Sequence, residues 1–87
     1  MLKDPHALVI PDGTEVIRYK QYEETDYERV FIPKGVTEIK SGAFSECESM
    51  KEVVFEEGSM LKTIGNWVFD GCSNLAKINL PEGLKSI

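Results

Sequence analysis

Four short runs along the chain place apolar residues two positions apart: Leu8-Val9-Ile10, Val30-Phe31-Ile32, Val53-Val54-Phe55 and Ile78-Asn79-Leu80. The inward-facing members of each run stand two residues apart, the period of a short half-buried strand. Each run passes into a turn ending in glycine: Ile10-Pro11-Asp12-Gly13, Ile32-Pro33-Lys34-Gly35, Phe55-Glu56-Glu57-Gly58 and Leu80-Pro81-Glu82-Gly83. A second apolar pair follows, Val36 with Ile39, Leu61 with Ile64 and Leu84 with Ile87, and Ile17 fills the same place in the first unit. Ala43-Phe44 and Val68-Phe69 then lie in stretches of about one helical turn, with Gln21-Tyr22 as the weaker equivalent. The chain returns through Cys47 to Met50, Cys72 to Leu75, or Glu24 to Tyr27.

These are four registers of one unit, repeated with a period in the low twenties. Such a period marks a solenoid, because each unit leaves an apolar face that only the next unit can cover. Successive strands of a solenoid run parallel and share a ladder. The first unit is one residue short after Tyr22, and the third carries extra residues around Ser59 and Met60. Both irregularities fall in turns, which absorb length changes more cheaply than strands do. The pattern predicts an α/β repeat: a solenoid of short parallel strands with single-turn helices or irregular outer segments.

The ordered set Cys72, Leu75, Ile78, Leu80, Pro81, Leu84, Ile87, together with Ile39, Ala43, Phe44, Cys47, Met50, Val53, resembles the Treponema-type, or BspA-like, leucine-rich repeat. The resemblance runs from Leu8 to Ile87. It departs in the first unit, where Glu24 stands for the cysteine and Gln21-Tyr22 for the Ala-Phe pair, and at Glu56, which stands for the proline. It implies a right-handed solenoid with a parallel sheet on one side, in a family of bacterial surfaces and some unicellular eukaryotes associated with adhesion and protein binding. On this reading residues 1–87 form one leucine-rich-repeat domain of about three and a half repeats, its first unit an atypical cap and its last unit incomplete. The resemblance implies no catalytic centre, and repeat scaffolds host many unrelated partners.

Composition narrows the function further. With 41% hydrophobic and 29% charged residues the chain is globular material, too apolar for a disordered segment and without an apolar run long enough to span a bilayer. A formal charge of -5 with scattered basic residues opposes nucleic-acid binding, which draws its affinity from Lys and Arg displacing counterions. Met1 to Pro11 carry Lys3, Asp4 and His6 before a very short apolar stretch, so they lack the core of a secretory signal. The compartment stays open: cell surface or secreted if the native chain carries a signal, cytoplasm otherwise.

Candidate chemistry is sparse. Cys47 and Cys72 fall at one repeat position, where a small inward thiol can reach a neighbouring backbone carbonyl. One strand spacing is also close to disulfide range, so oxidation stays open, but two cysteines without nearby histidines make a poor metal site. His6 reads as a solvated cap residue. Glu23, Glu24, Asp26 and Glu28 offer oxygen ligands but lack the glycine and spacing of a calcium loop, and read as a solvated connector. No phosphate loop or nucleophile elbow occurs, and no metal or cofactor is called for. Trp67 has two readings, a packed aromatic or an anchor for a partner or sugar ring; its counterpart in the preceding unit is Gly42. Tyr19, Tyr22 and Tyr27 read as core or cap residues.

The strongest surface is the open face of the sheet. If Leu8 and Ile10, Val30 and Ile32, Val53 and Phe55, and Ile78 and Leu80 point inward, then Val9, Phe31, Val54 and Asn79 point outward, one above another. Three of the four are apolar. Beside them runs Arg29, Glu52 and Lys77, alternating in sign. Either the strip is a binding surface, or β-propensity and cross-strand charge pairing explain it without a partner. The expected function is a non-enzymatic protein-interaction or adhesion module that binds through this face. The alternatives are a structural capping segment of a longer repeat protein and a surface glycan-binding module. Self-association through the C-terminal edge, where Ile78, Leu80, Leu84 and Ile87 want cover, is also expected.

Overall fold

A computed structural model describes residues 6–81. It contains seven short strands: β1 (Ala7–Val9), β2 (Val16–Ile17), β3 (Arg29–Ile32), β4 (Glu38–Ile39), β5 (Glu52–Phe55), β6 (Thr63–Ile64) and β7 (Lys77–Ile78). They form two parallel sheets, one of four strands in the order β1-β3-β5-β7 and one of three in the order β2-β4-β6. The chain thus winds through three turns of a solenoid. The registers Leu8↔Val30, Val30↔Val53 and Val53↔Ile78 are those the repeat pattern predicts. The second sheet was not visible in the pattern. Its strands are two residues long, too short to show a period, and they pair Ile17 with Ile39 and Ile39 with Ile64.

Equivalent residues of successive coils stack inside. Ile17, Ile39 and Ile64 make one column, Val30 and Val53 another, Val36 and Leu61 a third, all buried. Burial weakens toward the last described coil. Ile78 is only half-buried and Leu80 is 41% exposed, and Phe55 is likewise half-buried. The extra residues of the third unit lie where the spacing put them: Met60 points out, while its backbone N–H still donates to the Lys34 carbonyl at 2.9 Å. Glu82, Gly83, Leu84 and Ile87, with Lys3 and Asp4, lie outside the described residues.

The helical half of the expected α/β class is corrected by the outer segments. Among the described residues there is no helix, and Gln21–Glu24 and Ala43–Glu46 are turns. The reason is where the amides go. Lys20, Tyr22 and Glu24 donate to Ser41, Ala43 and Ser45 of the next coil, and Gly42, Phe44 and Glu46 donate to Asn66, Val68 and Asp70. The residues between them close local turns, such as Ser45 N–H to the Gly42 carbonyl at 3.0 Å. An α-helix needs every interior amide for its own i−4 carbonyl, so lacing the coils together on this side excludes one. Left-handed residues bracket each segment: Lys20 and Glu24 (φ 54° and 60°), Gly42 and Glu46 (67° and 59°), Trp67 and Gly71 (58° and 77°).

Candidate functional site

The outward row of the four-stranded sheet is built by register alone. Val9 pairs with Phe31 and Phe31 with Val54, so the three side chains stand on one line across three coils. Val9 is 67% and Phe31 37% exposed, while Val54 is half-buried. Together with Pro33 they line a shallow depression of about 270 Å³, to whose lining Asp12 and Glu56, which follow the strands, also contribute. Glu56 is fixed there because its Oε1 accepts the Lys34 backbone N–H at 2.8 Å. Asn79 is exposed but lies past the end of β7 and takes no part in the ladder.

Sequence alone reads Pro33 and Glu56 as turn residues only. The signal was available: extending the period of two one step beyond the strand puts Pro33 after Phe31 and Glu56 after Val54 on the same face. Asp12 had no such signal. The neighbouring charged row forms as expected, with Arg29 opposite Glu52 and Glu52 opposite Lys77.

Trp67 is not packed. It is 71% exposed, on the outer turn that follows β6 and not on the four-stranded sheet, so it does not join the Val9-Phe31-Val54 row. Its left-handed φ matches that of Gly42 and Lys20, its equivalents in the preceding coils. Glycine adopts that conformation freely and a bulky side chain at a cost. Tyr19 is also exposed, at 63%, whereas Tyr22 stacks on Phe44 and Tyr27 is half-buried.

The acidic connector is divided among separate partners. Glu23 accepts from the Ser45 hydroxyl at 3.0 Å and lies near Lys20, and Glu28 lies between Lys51 and His6. Among the described residues no group of three or more His, Cys, Asp or Glu could hold a metal ion, and no helix is long and apolar enough to cross a membrane.

The cysteines do reach carbonyls. The Cys47 thiol donates to the Tyr22 carbonyl at 3.2 Å and the Cys72 thiol to the Phe44 carbonyl at 3.1 Å, each one coil back. Thr25, not Glu24, holds the equivalent place in the first coil; its hydroxyl lies 3.4 Å from Cys47 Sγ and donates to the Tyr22 carbonyl. The missing residue of the first unit therefore falls after Thr25. The side-chain interaction with the neighbouring Cys72 thiol holds the Cys47 thiol below its ordinary range, and the same interaction, with burial, pushes Cys72 up. Acidity and access oppose each other here, since Cys47 is fully buried and Cys72 only partly. An alkylating reagent must touch sulfur to react, so access decides. Native protein treated with iodoacetamide should label at Cys72 first and at Cys47 only as it unfolds, as peptide mapping would show; Cys47 labelling first would mean that the coil is open at Thr25.

The family model described as a BspA type leucine rich repeat region, in 6 copies, matches residues 6–87. No curated protein and no solved structure matches the chain.

Proposed function

Since the chain belongs to the BspA-type leucine-rich repeat family, we propose that it is a non-catalytic binding module whose protein partner lies across Val9, Phe31 and Val54. The reading takes residues 1–87 as one repeat domain with a capping first unit, and places Arg29, Glu52 and Lys77 along one border of the contact. Asn79 extends the same face beyond the strand, and Trp67 lies outside it. The observation that carries the proposal is the aligned apolar row bordering a concavity. Strand propensity accounts for single exposed valines; it gives no reason for them to frame a depression with an exposed phenylalanine. A small set of apolar anchors around a concave centre is the usual source of binding energy at protein interfaces.

Phe31→Ser tests this. With 37% of Phe31 exposed and its neighbours Val30 and Ile32 carrying the core, the substitution should cost about 1–2 kcal/mol, the share of a phenylalanine's burial it loses, and leave the protein folded. It should abolish capture of a partner that wild-type protein and an exposed control, Lys40→Ser on the three-stranded side, both retain. Equal capture by all three proteins would place the contact elsewhere.

A further inference from the structure

The depression over Phe31 and Val54 is apolar on its floor and acidic at one end, and that polarity selects a ligand. We propose that it receives an extended segment of a partner protein in which an apolar side chain is followed by lysine or arginine. The apolar group sits against Val9, Phe31 and Val54, and the cation lies between the carboxylates of Asp12 and Glu56. The inference rests on the contact surface proposed above and adds the chemistry of its occupant.

Three observations support the charge. Asp12 and Glu56 both line the depression, and among the described residues no cation lies within ion-pair distance of either. The basic residue nearest in register, Lys34, commits its backbone amide to Glu56, while its side chain runs along Gly58, with Cδ 3.9 Å from where a Cβ there would stand. The opposite border alternates in sign through Arg29, Glu52 and Lys77, which stand opposite one another across the strands. The acidic end is therefore the uncompensated one, on a chain whose net charge of -5 already favours encounter with basic partners.

Neither half of the site is selective by itself. Exposed carboxylates hold a cation weakly in water, and an apolar strip accepts any apolar group. The combination discriminates: an anionic or neutral residue following the apolar one leaves both carboxylates unpaired or repelled, as negative complementarity requires.

The test uses three acetylated, amidated peptides, Gly-Val-Leu-Xaa-Gly with Xaa as Lys, Gln or Glu, titrated into isotope-labelled protein at low salt and followed through backbone amide shifts. The lysine peptide should bind about three- to tenfold more tightly than the glutamine peptide, the range two exposed charge contacts supply, with the glutamate peptide weakest. Its shifts should centre on Phe31 and Val54. The advantage should fall with added salt and vanish in the Asp12→Asn, Glu56→Gln double variant, in which the glutamine carbonyl oxygen can still accept the Lys34 amide. Equal binding of the three peptides at Phe31 and Val54 would overturn the charge selectivity while leaving the surface intact. Failure of every peptide to move the Val9, Phe31 and Val54 amides would overturn both the inference and the surface beneath it. A Phe31-dependent dimer in sedimentation would give the face to a second copy of the chain and overturn the inference as well.

Discussion

Phe44→Ala should unfold the protein or lower its melting temperature by at least about 12 °C. Phe44 is fully buried and is the middle ring of a stacked column, 5.5 Å from Tyr22 and 6.0 Å from Phe69, with the planes within 9° and 4° of parallel. Truncating a buried phenylalanine costs about 3–5 kcal/mol. Here the loss also removes both ring contacts, each worth about 0.5–1.5 kcal/mol beyond burial. The whole stability of a domain this size is about 5–10 kcal/mol, so most of it goes. Phe69 occupies the equivalent place one coil later but is only half-buried, since no described coil covers its outer side as fully. Phe69→Ala should therefore cost less. Thermal unfolding followed by circular dichroism measures both, and equal losses would mean that the stack does not enclose its middle ring more than its end.

That column shows how far the sequence could be read. The recurrence of Phe44 as Phe69, and of Val30 as Val53 and Ile78, established the coil and the strand register, because side-chain burial repeats wherever the backbone path repeats. The outward row Val9, Phe31 and Val54 followed from the period of two. What the pattern missed was decided by the backbone. Ala43-Phe44 has the composition of a helical turn, but whether an amide bonds within its own coil or to the next one leaves no mark on hydrophobicity, and Phe44 N–H goes to Val68. The threonine at the cysteine position was hidden by a one-residue deletion that shifts Thr25 against Glu24. Trp67 carried a signal in its alignment with Gly42: a glycine at a corner marks a left-handed residue, and a side chain there points away from the coil. Sequence alone reads Asp12 and Glu56 as members of two separate turns, because they are far apart along the chain and line one depression only through stacking.

Close approach between coils gives the second large effect. A Cβ on Gly65 would stand 2.6 Å from the Ser41 backbone nitrogen and 2.9 Å from its Cα, distances that no rotamer change can relieve because both atoms are main chain. The equivalent positions Arg18 and Lys40 carry long side chains, so the requirement belongs to this corner and not to the repeat. Here the third coil is drawn against the second by Gly65 N–H to the Ile39 carbonyl at 2.7 Å, with Gly42 N–H to the Asn66 carbonyl at 3.0 Å beside it. Gly65→Ala must lengthen those bonds or tilt β6 away from β4. The expected cost is about 1–3 kcal/mol, as for other overpacked sites, or roughly 4–24 °C in melting temperature. Gly35→Ala supplies the control of opposite sign. The nearest atom to a Cβ there is 3.9 Å away and the backbone is not left-handed, so the loss of unfolded-state freedom should leave the variant unchanged or more stable by about 0.4–1 kcal/mol. Denaturant unfolding of the two variants separates a steric cause from a general intolerance of alanine. If Gly65→Ala matched Gly35→Ala, the third coil would not lie against Ser41, and the stacking distance at this corner would have to be longer than described.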